Sequence, residues 1–311
     1  MIILDQIIEQ MGNRIPIIVG PTGIGKTSFA IELAKKIDAE IISVDSRQIY
    51  KGFRIGTAQP SDEERSTITH HLIDMISPNQ VMSAGDYVDI TNKTISQIQS
   101  KGKNIILVGG SLMYVKSISE GIVDTVDTDD NIREEIEKRI QSEGVEVLMN
   151  EMKNIDPEYS KILHKNDIKR LVRAFEIYKQ TGMSPTELFR KQKNRDQQIR
   201  NKYFIIELKM DREKLYNRID KRVELMIIEG WLDEIKLLLN AGVSKSCHAM
   251  QSVGYKQLIN VIDNEDEIED TVESIKQKTR QFAKKQLTWL NKMNIDYTIN
   301  IEKEEKNEVK C

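Results

Sequence analysis

Residues 15 to 33, IPIIVGPTGIGKTSFAIEL, join three patterns in a fixed order: a short apolar run, a glycine-rich turn, and apolar residues at helical spacing. Gly20, Gly25, Lys26 and Thr27 satisfy GxxxxGK[ST] between an expected strand and an expected helix, the context in which that pattern reads as a phosphate cradle. The glycines let backbone N–H groups converge on an anion at a helix N-terminus. Lys26 can reach terminal phosphate oxygens, the Thr27 hydroxyl can ligate Mg²⁺, and Pro21, Thr22, Gly23 and Ile24 complete the loop.

A cradle of this kind commits the chain to an α/β fold. Further short runs rich in β-branched residues stand at 40–44 (EIISV), 104–108 (NIILV) and 203–208 (YFIIEL). Unbroken apolar runs suit parallel strands covered on both faces. The helix expected from Thr27 to about Ile37 makes the first βαβ unit, right-handed by the usual rule. The expected fold is therefore a P-loop NTPase-like core, a mostly parallel sheet flanked by helices. From about Gly121 to Arg200 the pattern changes to charged helical stretches such as NIREEIEKRIQ and NDIKRLVRAFEIYKQTG, the latter closed by Gly182. This predicts a helical insertion over 121–199 in a core made of 1–120 and 200–311. The tail EKEEKNEVKC reads as frayed.

Composition narrows the setting. In 311 residues no apolar run approaches the roughly 20 residues needed to cross a bilayer, and the start MIILDQIIEQ lacks the basic-then-apolar order of a secretory signal. A cytoplasmic monomer is the expectation. Cys247 and Cys311 read as free thiols, and His70 and His71, adjacent and without a third ligand nearby, as structural rather than metal-binding. Trp289 and Tyr297 could stack on bases, and read better as core. Net charge is -3, yet Lys276, Lys278, Arg280, Lys284, Lys285 and Lys292 fall between Ser274 and Lys292 with no acid among them. KRLVR at 169–173 and RKQKNRDQQIRNK at 190–202 are basic too. Such segments suit contacts to nucleic-acid phosphates.

The cradle alone does not say whose phosphate it holds. P-loop NTPases carry a second, metal-holding acid at the end of another strand. Here NIILV runs into Gly109 and Gly110 without one. Asp45, ending the run after the cradle helix, reads better as a general base facing an acceptor; a cap of the following turn is the plainer alternative. A small-molecule or nucleoside kinase and a non-catalytic nucleotide switch that binds RNA both remain open on these residues.

Seven stretches taken in order, GPTGIGKT, EIISVDSRQIY, IGTAQP, HHLIDMISP, ILVGGSLMY, NDIKRLVRAFEIY and TRQFAKKQLTW, resemble the tRNA dimethylallyltransferases, also called tRNA isopentenyltransferases, in their short bacterial form. Ser111 stands where that family usually has Thr, and Phe175 where Leu is more usual. The resemblance implies transfer of a dimethylallyl group from dimethylallyl diphosphate to N6 of adenosine 37 in tRNAs reading codons that begin with U. The products are N6-dimethylallyladenosine and diphosphate. It implies that Gly20 to Thr27 with Mg²⁺ hold the donor diphosphate, a prenyl donor in what is usually an ATP seat. Arg218 and Arg222, one turn apart, and Arg212 before them join that role. Asp45 is then the base for the N6 proton. Asp45, Ser46, Arg47, Gln48, Ser111, Arg133 and the run Lys169, Arg170, Leu171, Val172, Arg173 are implied to meet tRNA. The basic run adds Arg280, Lys284 and Lys285. Gln48 is a candidate base-edge reader, because an amide can pair twice with adenine. The basic segments and the helical insertion argue against both small-substrate alternatives, the kinase and the related adenylate isopentenyltransferase, which prenylates a free nucleotide.

Overall fold

A computed structural model describes residues 2–121, 129–263 and 266–302; the tail beyond, with Cys311, lies outside the described residues. Six parallel strands form one sheet: β1 (Ile15–Val19), β2 (Ala39–Ser43), β3 (His70–His71), β4 (Asn104–Gly109), β5 (Tyr203–Lys209) and β6 (Tyr297–Asn300). Their order is β3-β2-β4-β1-β5-β6, which puts the strand that feeds the cradle near the centre. Four of the six match the apolar runs. The two edge strands escape such a reading because HH and YTIN are too short and too polar to show a period.

The sheet is covered by helices whose buried faces form one core. Ala30, Leu33 and Ala34 from the helix Lys26–Ile37 meet Ile18, Ile106 and Ile206 from the strands and Leu215 and Ile219 from the helix Arg212–Ile228. At the upper end of the sheet β2 and β4 press together, and a Cβ on Gly109 would collide with the Val44 carbonyl. Val44 N–H in turn donates to the Val108 carbonyl at 2.7 Å. Gly109 therefore belongs to sheet geometry, and it leads into the turn that carries Ser111.

Two compact units make up the chain, residues 1–119 with 201–311, and residues 120–200. Among its described residues the second unit has helices and no strand. Its core joins Ile136, Leu148, Met152, Leu163, Leu171, Val172 and Phe175. Gly182 ends the helix Ile168–Thr181 in the left-handed region at φ 68°, its N–H donating to the Tyr178 carbonyl at 2.8 Å. No helix among the described residues is long and apolar enough to cross a membrane.

Candidate active site

The cradle loop leaves the end of β1 and enters the helix Lys26–Ile37 through Gly25, at φ 100°, a conformation glycine takes without strain. It opens onto a cleft of about 660 Å³, all of it in the first unit. Thr22, Gly23, Gly25, Lys26 and Thr27 line the cleft. Gly20 and Pro21 contribute carbonyls, each accepting from Lys26 Nζ at 3.0 Å. Ile24 turns away into the core, where it is 1 % exposed.

Cations gather around this loop. Burial, reinforced by the Arg222 charge, lowers the Lys26 ammonium to a pKa of about 8, with Asp45 opposing the shift. Arg222 is itself held below its ordinary value by burial, and its Nη1 lies 3.4 Å from Thr22 Oγ1. Arg218 lines the cleft beside it, close enough that a Cβ on Gly25 would sit 3.3 Å from its Nη2. An anion bound among these cations would offset both their burial and their mutual repulsion. Arg212 does not take part: its guanidinium lies over the Tyr216 ring, 5.5 Å from the centroid, and it is absent from the cleft wall.

The turn after β2 lines the same cleft. Asp45 Oδ1 accepts from Arg47 N–H at 2.8 Å and Gln48 N–H at 3.3 Å, so this carboxylate does cap its own turn while it also lines the cleft. The capping reading and the general-base reading are therefore compatible. Tyr87 holds the turn from behind: its hydroxyl donates to the Ser43 carbonyl at 2.6 Å and accepts from Asp45 N–H at 3.3 Å. Ser46 N–H donates to Ser111 Oγ at 2.9 Å. Arg47 Nη1 lies 2.8 Å from His248 Nε2, and burial lowers its pKa.

The base-edge role expected of Gln48 needs correction. Its Oε1 accepts from Ser43 Oγ at 2.8 Å, and its Nε2 donates to the carbonyls of Thr57 and Ala58 at 3.1 and 2.9 Å. With both ends of the amide occupied, Gln48 holds the 54–60 loop to β2.

Several residues of this cleft were not expected. Glu234 accepts from the N–H groups of Arg54, Ile55 and Gly56 at 2.8, 2.6 and 3.3 Å and from the Tyr255 hydroxyl at 2.6 Å, which fixes the loop opposite the cradle. The Trp231 ring packs so closely on Gly56 and Gly254 that neither has room for a Cβ. Gln251, Ser252, Val253, Phe282 and Gln286 also line the wall. Gly56 stands in the IGTAQP stretch and Phe282 and Gln286 in TRQFAKKQLTW, both among the motifs that carried the resemblance, whereas Trp231, Glu234 and Gly254 fall in none of them. A lone Glu or Gln on a helix shows nothing of its partners.

The basic segments divide into paired and exposed groups. In the helical unit Lys169 and Arg170 are exposed, Arg170 pairing with Asp167 at 3.3 Å, whereas Leu171 and Val172 are 1 % and 6 % exposed inside the unit's core. An RNA contact through those two side chains is thereby corrected to a packing role. Arg133 and Arg173 both pair with Glu176, whose carboxylate is wholly buried and also accepts from Asp129 N–H at 2.6 Å. In the 190–202 run Arg190 pairs with Glu158, and the side chains of 192–197 lie outside the described residues. On the helix Ile268–Leu290, Arg280 pairs with both oxygens of Asp220 at 2.6 Å and Lys276 with Glu224 and Glu273. Lys278, Lys284 and Lys285 are exposed. Trp289, expected in the core, is 40 % exposed on the same helix. His71 Nε2 pairs with Glu40 at 2.6 Å and His70 Nδ1 with the Ile68 carbonyl at 2.8 Å. Among the described residues no cluster of His, Cys, Asp and Glu could hold a metal ion.

Residues 48–293 match the family described as IPP transferase. A tRNA dimethylallyltransferase of Acetivibrio thermocellus is 40 % identical over 290 residues, 93 % of this chain and 92 % of that one. The Thermotoga maritima enzyme of the same name is 38 % identical over 297 residues, 96 % of this chain and 95 % of its own. Among solved structures, a full-length tRNA isopentenylpyrophosphate transferase from Bacillus halodurans matches with a TM-score of 0.66 and 34 % identity, covering 94 % of this chain and 93 % of that one. A eukaryotic dimethylallyltransferase described as acting on tRNA matches with a TM-score of 0.79 and 28 % identity, over 93 % of this chain and 74 % of its own.

Proposed function

The chain belongs to the IPP transferase family, and from that premise we propose that it is a tRNA-modifying prenyltransferase whose cradle holds the diphosphate of dimethylallyl diphosphate. The acceptor is N6 of adenosine 37 in tRNAs that read codons beginning with U. One observation carries the reading: Lys26, Thr27, Arg218, Arg222 and Asp45 line a single cleft, with the Asp45 carboxylate near enough to act electrostatically on Lys26 and Arg222.

Exocyclic adenine nitrogen is a poor nucleophile, because its lone pair is delocalised into the ring. Transfer therefore needs both a stabilised leaving group and a base. As the C1–O bond of the donor breaks, negative charge grows on the diphosphate, where Lys26, Arg218, Arg222 and the loop N–H groups can stabilise it. As the N6–C1 bond forms, the N6 proton passes to the Asp45 carboxylate, whose Oδ1 is engaged by its own turn, leaving Oδ2 as the accepting atom. Mg²⁺ suits the donor set, since the Thr27 hydroxyl and donor phosphate oxygens are hard ligands, and when bound it adds positive charge on the leaving group. Exposed Lys284 and Lys285 in the first unit, and Lys169 and Arg170 in the second, supply phosphate contacts for the RNA.

The test is incubation of the protein with radiolabelled dimethylallyl diphosphate, Mg²⁺ and unmodified tRNA. Label is expected in the RNA fraction, on a nucleoside that co-migrates with N6-dimethylallyladenosine. Label left wholly in small molecules, beside measurable ATP turnover, would replace this reading with a kinase.

A further inference from the structure

Gln286 sits on the helix Ile268–Leu290 with its side chain 6 % exposed. Its Oε1 accepts from the Thr22 N–H at 2.9 Å, and its Nε2 donates to the Gly110 carbonyl at 2.9 Å. One amide thus bridges the cradle loop and the turn after β4. The β1–β4 ladder ends at the pair Val19 and Gly109, so the sheet itself does not hold these two loops together above that point. Gly110 is pressed against the clamp: a Cβ there would come within 2.7 Å of Gln286 Nε2. The same turn runs on to Ser111, whose hydroxyl receives Ser46 N–H, the neighbour of Asp45. A continuous chain of hydrogen bonds therefore leads from the cradle, through Gln286 and the Gly110–Ser111 turn, to the turn that carries Asp45.

We propose that Gln286 is a positioning residue for prenyl transfer. By tying Thr22 to Gly110 it sets the separation between the donor diphosphate and Asp45, and hence the approach of the acceptor nitrogen to donor C1. Reactions between two held partners depend steeply on that approach, with a misplacement of about 1 Å costing up to about 10²-fold in rate. An apolar residue of similar size could fill the same space, but it would leave a part-buried N–H and a part-buried carbonyl without this partner and the two loops free to part. The inference rests on the prenyl-transfer reading, which the wild-type reaction tests by itself.

The experiment is a single-turnover assay with full-length protein in excess over tRNA, at saturating dimethylallyl diphosphate, for Gln286→Leu, Gly110→Ala and the double variant. Each single variant is expected to lower the rate constant about 10- to 100-fold. The tRNA Kd should stay within about threefold, because the change falls on the reacting geometry and not on RNA binding. The double variant should be no slower than the worse single one, since both break the same clamp. A purely structural role would lower Tm and the yield of folded protein and leave the rate constant of the folded enzyme untouched. A wild-type rate constant in Gln286→Leu, or losses that multiply in the double variant, overturns the proposal. Should Gln286→Leu fail to fold, Gly110→Ala, which keeps the amide and only crowds it, carries the same expectation. Absence of transfer by the wild-type protein would instead remove the reading on which the clamp depends.

Discussion

Lys26 shows how one buried residue makes a site depend on its ligand. Its pKa of about 8 reflects burial and the neighbouring Arg222 charge. A bound diphosphate supplies the opposite charge and raises that pKa again. Above pH 8 the free enzyme has lost the proton that the complex needs, so binding takes up a proton and weakens as pH rises; below pH 8 it is flat from this cause. Calorimetric titration of dimethylallyl diphosphate in buffers of different ionisation enthalpy should show that uptake at pH 8.5 to 9. In Lys26→Arg, which stays charged, the uptake should vanish. Asp45 calls for a different substitution from the obvious one. Truncation to Ala would remove both the base and the acceptor for the Arg47 and Gln48 N–H groups, whereas Asp45→Asn keeps the cap through its amide oxygen. Asp45→Asn should lower kcat by about 10² to 10⁴ with the tRNA Kd near that of wild type. Unchanged kcat would take Asp45 out of the proton transfer. Gln48 carries the opposite lesson: an amide capable of reading a base is committed to Ser43, Thr57 and Ala58.

Among the elements, two helices illustrate what a basic stretch conceals. KRLVR reads as a continuous contact, yet a helix turns 100° per residue, so Lys169 and Arg170 face solvent while Leu171 and Val172 face the core of the helical unit. Leu171→Ala should cost about 2 to 5 kcal/mol in the unfolding of that unit, measured by denaturant titration. A weakened tRNA Kd at unchanged stability would show that Leu171 meets the RNA after all. Glu176 does comparable work beside it. Its buried carboxylate holds Arg133 and Arg173 together, so their guanidinium groups are presented by a shared anchor. On the helix Ile268–Leu290 the apolar positions pack beneath the sheet, Gln286 reaches the cradle, and the lysines at 278, 284 and 285 face outward. A single helix thus serves core, site and surface on three faces.

For the whole molecule, a net charge of -3 means that any affinity for RNA must come from local faces and not from overall attraction. Replacing Lys284 and Lys285 together with Ala should weaken tRNA binding and reduce the slope of log Kd against log salt by about 1 to 2, roughly one for each phosphate no longer neutralised. An unaltered slope would place those lysines away from the RNA.

What could be read from the chain alone was whatever is local along the chain. The GxxxxGK[ST] spacing located a loop that lines the cleft, four apolar runs located the central strands, and the ordered set of seven motifs pointed to the family to which the chain belongs. Each of these rests on neighbours in sequence, where periodicity and backbone conformation are local matters. Partnership across the fold is not local. That Gln286 reaches back 264 residues to Thr22, that Glu234 holds the backbone of Arg54 to Gly56, and that Arg222 faces the cradle while Arg212 lies on a tyrosine were decided by tertiary structure. A side chain's chemistry names the bonds it can make. Only packing decides which partner arrives within hydrogen-bonding distance, because buried polar groups must be paired and the fold determines with what.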